Sequence, residues 1–238
     1  MPKSSDYAKQ RKDNIMGLNI AKGNMYDFVT HTWNTIKGAC PHDCSYCYMK
    51  RWGTLKPVRF DEKELKTDLG EGNFIFVGSS CDIFAEFIDQ YWVTSTLAKC
   101  SLYAGNKYLF QSKDVFGMSC FMGCMHPVNS VICTTIETNR IYRPIMGHAP
   151  SPENRAKYMQ SFLAYKKYVT IEPIMDFDLE PMVELIKRCD PEQVNIGADS
   201  GNNHLPEPPL EKVMELLDRL SGFTTIAKKN NLQRLLNV

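Results

Sequence analysis

The chain has no apolar run long enough to cross a bilayer, no low-complexity tract and no repeat of solenoid period, which removes membrane-spanning, fibrous and repeat architectures. It also lacks an excess of either charge. Its 28 basic and 27 acidic residues leave +1, so no global field argues for or against a polyanionic partner. The opening residues lack the apolar core of a secretory signal, and nine cysteines, an odd number, speak against a disulfide framework and for a reducing cytoplasm. Residues 1–25 read instead as a basic arm, with Lys3, Lys9, Arg11, Lys12 and Lys22 against Asp6 and Asp13, either solvated or set against phosphate. One domain over residues 26–238 follows.

What is present is ample material for a core: 238 residues with 43% hydrophobic content suit a single α/β domain. Apolar, β-branched runs at 26–33, 73–77, 107–111, 130–136, 169–172, 194–197 and 224–227 read as strands. Between them, helical periodicity or capping chemistry appears at 61–68, at 83–103 with Asp82 as its cap, from Ser151-Pro152-Glu153 to about 165, at 179–188, and from Pro208-Pro209 to about 220. Strictly alternating strands and helices imply parallel strands joined by crossovers. Six or seven units are too few for a closed eight-stranded barrel, so the expected fold is an open, partial (β/α)6 TIM-like barrel. Its functional residues are then expected at the strand C-termini.

The densest chemistry lies at Cys40, Cys44 and Cys47, spaced C-x3-C-x2-C and followed by Tyr48. Three thiolates on a cubane of four irons leave one iron open to an outside ligand. Zinc completed by His42 or another cysteine, and plain packing of unligated thiols, are the competing readings. Cys120 and Cys124, with His126 and Cys133 nearby, raise the question of an auxiliary cluster, whereas Cys100 and Cys189 read as packing residues.

The three cysteines and Tyr48 closely resemble the signature of the radical S-adenosylmethionine (SAM) superfamily. The order of strand-end motifs is similar to a phage-associated branch of it: Trp33-Asn34, Ser80-Cys81-Asp82, Lys113, Glu172-Pro173 and Asp199-Ser200-Gly201. Two departures are the Cys-rich stretch after the third strand and Asp199 where Glu is commoner. The resemblance implies a 4Fe-4S cluster on Cys40, Cys44 and Cys47 and a SAM site in which Gly78, Ser79, Ser80 and Asp82 meet the amino group. Thr135, Glu137 and Asn139 would touch ribose and carboxylate, and Asp199 and Ser200 the adenine or the substrate. Lys113 would meet a carboxylate or phosphate, and Glu172 would face the pocket, since a carboxylate ending an apolar strand is costly to bury unpaired. Cys81 is placed to donate a hydrogen atom, which makes Cys81, Lys113 and Glu172 the expected catalytic residues.

The function so implied is radical rearrangement or isomerisation of a modified nucleobase, such as a thymidine side chain in phage DNA, in a host cytoplasm. A flavodoxin- or ferredoxin-type electron donor is implied, and no membrane. Arg140, Arg143, Lys228 and Lys229 are candidates to hold phosphate. A DNA-repair lyase similar to spore photoproduct lyase and a non-catalytic iron-sulfur or zinc module binding nucleic acid are the alternatives.

Overall fold

Strands covered on both faces must be nearly continuous in apolar side chains, and the central strands of this chain are. The structure, a computed structural model, describes residues 18–122, 127 and 129–236. In chain order the strands are β1 (Asn19–Ile20), β2 (His31–Trp33), β3 (Ile36–Lys37), β4 (Arg59–Phe60), β5 (Phe74–Val77), β6 (Lys107–Gln111), β7 (Ser130–Thr135), β8 (Lys166–Ile171), β9 (Gln193–Ile196) and β10 (Thr225–Lys228). The α-helices are α1 (Gln90–Ser101), α2 (Val115–Met122), α3 (Arg143–Met146), α4 (Pro152–Met159), α5 (Leu179–Cys189), α6 (Leu210–Ser221) and α7 (Gln233–Leu236). Short 3-10 turns occupy Tyr48–Trp52 and Glu62–Lys66.

The main sheet runs β1-β2-β5-β6-β7-β8-β9-β10. From β2 onward every neighbouring pair is parallel, and β1 adds an antiparallel edge. The sheet does not close: β1 and β10 are its two edges. This is the expected open partial barrel, with seven parallel strands. A small second ladder pairs β3 with β4.

Period-two alternation sorts each strand into two faces. One face carries Ile75, Val77, Tyr108, Phe110, Ile132, Val169, Ile171, Val194 and Ile196 into the main core with the helices. There α5 contributes Met182, Val183 and Ile186 and α6 contributes Val213, Leu216, Leu217 and Leu220, at helical spacing. The other face presents Phe74, Phe76, Leu109, Val131, Cys133 and Tyr168 to Tyr26, Phe28 and Val29. Residues 21–29 thus plug the concave side of the sheet, with the Tyr26 and Phe28 rings stacked at 5.3 Å.

The helix expected from Ser151 to about 165 ends at Met159, the strand expected at 169–172 runs from Lys166 to Ile171, the helix expected at 61–68 is a 3-10 turn, and two further elements differ more. The first strand is only His31–Trp33, because residues 26–29 turn inward as the plug, with Val29 N donating to Tyr26 O. The helix expected over 83–103 begins at Gln90 and is capped by Asp89, whose carboxylate accepts from Tyr91 N at 2.8 Å. Phe87, at φ 70°, breaks the run, and Ile83, Phe84 and Ala85 spend their apolar surface in the core as irregular chain.

Candidate active site at the strand C-termini

The cysteine loop is built from successive tight turns: Asp43 N donates to Cys40 O at 3.1 Å and Cys47 N to Cys44 O at 3.2 Å. It is seated on α3 and the residues just after it, where Ser45 N donates to Ile145 O at 2.8 Å and His148 N to His42 O at 2.7 Å. The approach is close enough to require a glycine. A Cβ on Gly147, whose φ is 61°, would lie 2.1 Å from His42 O. The Cys44 thiol donates to Met146 O at 3.4 Å in the same contact.

All three cysteines open onto one cavity of about 1180 Å3 at the C-terminal ends of the strands. Cys81 shares that wall, and its thiol hydrogen-bonds the Cys40 sulfur, which lowers the Cys40 pKa and raises that of Cys81. The turn after β5 forms the adjacent wall. A Cβ on Gly78 (φ 77°) would meet Ile83 at 2.5 Å, and Asn34 Oδ1 accepts from Ser80 N at 2.9 Å and Ser79 Oγ at 3.2 Å. Ser80 Oγ is buried with no partner among the described residues.

The carboxylate of Asp82 is fully engaged. Its Oδ2 lies 2.8 Å from His42 Nε2 and accepts from Ser112 Oγ at 2.9 Å and Lys113 N at 2.8 Å, while Oδ1 accepts from Phe84 N at 3.1 Å. Burial pushes Asp82 toward the neutral form, but the His42 hydrogen bond and charge prevail and hold its pKa below the ordinary value. Burial lowers His42 likewise, and the bond to Asp82 reverses that and raises it. Asp82 therefore ties the cysteine loop to the ends of β5 and β6.

Strand parity explains what else reaches the interior. Gln111 and Lys113, Thr135 and Glu137, Thr170 and Glu172 follow one another at spacing two along β6, β7 and β8. Lys113, Thr135 and Glu172 line the cavity. Lys113 Nζ sits 3.8 Å from Glu137 and 5.4 Å from the centre of the Tyr46 ring. Burial works against its charge, and the Cys44 and Glu137 charges raise its pKa.

Glu137 lies beneath the cavity wall, completely buried, paired with Arg155 Nη1 at 2.6 Å and accepting from the Tyr46 hydroxyl. Glu172 accepts from Asn24 Nδ2 at 2.7 Å, Asn231 Nδ2 at 2.8 Å and Lys229 Nζ at 2.6 Å, so it joins the plug to the end of β10.

Three residues expected to meet SAM or substrate do not line this cavity: Glu137, buried beneath its wall with Arg155, and Asn139 and Asp199. Asn139 bonds Asp178, its Nδ2 donating at 3.1 Å and its Oδ1 accepting from Asp178 N at 2.8 Å. Asp199 closes its own turn by accepting from Gly201 N and Asn203 N, and lines a second cavity of about 850 Å3. Ser200 reaches the main cavity, where its carbonyl accepts from Arg51 at 2.9 Å. Of the auxiliary-cluster candidates, Cys124 and His126 lie outside the described residues. Cys120 is exposed on α2, whereas the Cys133 thiol is buried on the concave face, 3.5 Å from Thr170 Oγ1.

Sequence reasoning missed Arg155, Asn24, Gln111 and Thr170. Parity would have found Gln111 and Thr170, two residues before Lys113 and Glu172. Nothing in the sequence around Arg155 marks a guanidinium that no solvent reaches.

Among the described residues, no three His, Cys, Asp or Glu side chains lie close enough together to hold one metal ion. Three thiols lining one cavity, with a lysine charge beside Cys44, suit a polynuclear anionic centre whose ligands bind different irons. The partnerless Ser80 hydroxyl and the Gly78 turn offer an adjoining polar ligand a place against backbone.

No protein-family model matches this chain, and no curated protein does. Solved structures do. A spore photoproduct lyase variant aligns at TM-score 0.63 and 11% identity over 95% of this chain and 85% of its own. Another, with bound AdoMet and dinucleoside spore photoproduct, aligns at TM-score 0.58 and 12% identity over 93% and 71%. SuiB of Streptococcus suis, bound to the precursor peptide SuiA, aligns at TM-score 0.55 and 11% identity over 94% and 52%. The shared feature is the fold, an open partial barrel.

Proposed function

We propose that this chain is a radical SAM enzyme that acts on a nucleobase or nucleotide. The observation that carries the reading is the convergence of Cys40, Cys44 and Cys47 on one large cavity at the strand C-termini of this fold. Cys40, Cys44 and Cys47 would hold a 4Fe-4S cluster, and the turn at Gly78, Ser79 and Ser80 would hold SAM beside it. When bound and reduced by a flavodoxin- or ferredoxin-type donor, the two together supply a 5'-deoxyadenosyl radical that abstracts hydrogen from substrate. The chain's own part is to position and to shield. Asp82 fixes His42 and the β6 end, Tyr46 anchors the cysteine loop to Glu137, and Lys113 presents a cation to a carboxylate or phosphate.

The cavity exceeds the roughly 300–1,000 Å3 of a pocket for one small ligand, which leaves room for substrate next to SAM. Gln111, Thr135 and Thr170 form the concave wall there, bonded to one another and to the Tyr26 hydroxyl, so that wall is polar and already ordered. Rearrangement of a modified thymidine-type base, as in phage DNA hypermodification, is the reaction proposed, on the resemblance of the strand-end motifs to the phage-associated branch.

A lyase-type reaction is the second reading, favoured by Cys81. Its thiol stands in the cavity wall, placed to give a hydrogen atom to a product radical. Cys81→Ala separates the two. In a rearrangement, product formation continues at a rate within about threefold of wild type. In a lyase, 5'-deoxyadenosine still forms while the repaired product is lost, measured by chromatography of digested DNA.

A further inference from the structure

The cysteine loop continues into a segment whose composition the cofactor site does not use. From Met49 to Phe60 the chain carries Lys50, Arg51, Lys56 and Arg59 and no acidic residue, in a protein whose total charge is only +1. Trp52, in the middle of this run, is 81% exposed and takes part in no aromatic pair among the described residues. Exposing an indole to this extent forgoes most of the free energy that burying it would contribute. Lys56 and Arg59 are exposed and have no ion-pair partner among the described residues. Lys50 pairs with the exposed Asp43, and Arg51 spends its hydrogen bonds on Ser200, with no carboxylate against it.

Backbone contacts tie the segment to the cavity mouth. Lys50, Arg51, Gly53, Thr54 and Leu55 line the cavity. Gly53, at φ 86°, ends the 3-10 turn by donating to Lys50 O, and Ala39 N donates to Lys56 O at 2.8 Å. Gly38 lets Pro57 approach, since a Cβ there would lie 2.5 Å from Pro57 O. β4 then fixes Arg59 against Lys37.

We propose that this loop, with Trp52 as a stacking platform and Lys50, Arg51, Lys56 and Arg59 as phosphate contacts, binds a single-stranded or locally unpaired nucleic-acid strand at the mouth of the cavity. A flat aromatic set among cations is what an unpaired strand needs: base faces stack while the backbone is neutralised. A duplex offers no free base face to Trp52, and an acidic peptide has charge without planar groups. The inference deepens the proposed function by making its substrate a polymer rather than a free nucleotide, and it rests on that reading only for what happens inside the cavity.

The test is fluorescence anisotropy of a labelled 15-nucleotide oligothymidine with the reconstituted full chain, without SAM or reductant. Four phosphate contacts predict an association constant falling with salt at a log-log slope of about −3. Trp52→Ala should weaken binding about tenfold while Trp52→Phe keeps most of it, and Lys56→Glu with Arg59→Glu should roughly halve the slope. The proposal is overturned if Trp52→Ala binds like wild type, if duplex of the same length binds as tightly as the single strand, or if polyglutamate competes as well as oligothymidine. Oligonucleotide binding in a protein that makes no 5'-deoxyadenosine on reduction would support this surface and remove the enzyme reading. The converse result would remove this surface alone.

Discussion

Gly147 shows how one residue far from the cysteines in sequence decides whether they meet. Its φ is positive, and any Cβ at this position would stand 2.1 Å from His42 O, so there is no room for a side chain and the cysteine loop rests on bare backbone. Gly147→Ala is expected to cost about 2 kcal/mol or more through left-handed strain and displacement of the loop. The measurements are thermal unfolding and iron per chain after reconstitution, and both should fall together. Unchanged iron content would mean that the loop is seated by other contacts. At this scale the sequence was only partly legible. Cys40, Cys44 and Cys47 announce themselves by spacing, and Gly78 and Ser80 by following an apolar strand. Gly147 and Arg155 do not, because their importance comes from what lies opposite them in space, His42 in one case and Glu137 in the other.

Strands and helices explain the second feature of the site, its buried ion pair. Glu137 leaves the end of β7 and Arg155 stands on α4, so the pair ties strand to helix, and the Tyr46 hydroxyl hangs the cysteine loop on the same carboxylate. Burial pushes Glu137 toward protonation, but the charges of Arg155 and Lys113 outweigh it and depress its pKa below the ordinary 4.5. A depressed folded value contributes stability above the unfolded value, lost as pH falls through the folded one. Urea unfolding between pH 7 and pH 3 should therefore show an acid limb below about pH 4.5 that Glu137→Gln flattens. At pH 7 the same variant should lose about 3–5 kcal/mol, since it leaves the Arg155 guanidinium buried without its counter-charge. An acid limb identical in wild type and variant would contradict the assignment.

Element boundaries were legible where packing agreed with propensity. α5 and α6 match their apolar stripes, and β6 matches its run of residues. The helix expected from residue 83 failed because Ile83, Phe84 and Ala85 are apolar for the core's sake rather than for a helix face, and Asp82 is engaged by His42, Ser112 and Lys113.

Taken as one molecule, the chain is an open sheet whose concave side is filled low down by residues 21–29 and left hollow at the strand C-termini. The plug and the β10 end are joined through Asn24, Glu172 and Lys229. The barrel was legible from strand-helix alternation. The plug was not, because Tyr26 to Val29 have the composition of a strand and turn inward only because the concave face offers Phe74, Phe76 and Tyr168 as partners. On the function proposed, three cysteines on one cavity wall hold a cluster that leaves SAM a place beside it. The most direct measurement is 5'-deoxyadenosine formed by the anaerobically reconstituted protein with SAM and dithionite. Wild type should form it, and Cys40→Ala, Cys44→Ala and Cys47→Ala should each reduce it at least a hundredfold. A wild-type protein that carries four irons per chain yet forms none, or a triple alanine variant that forms as much, would contradict the account.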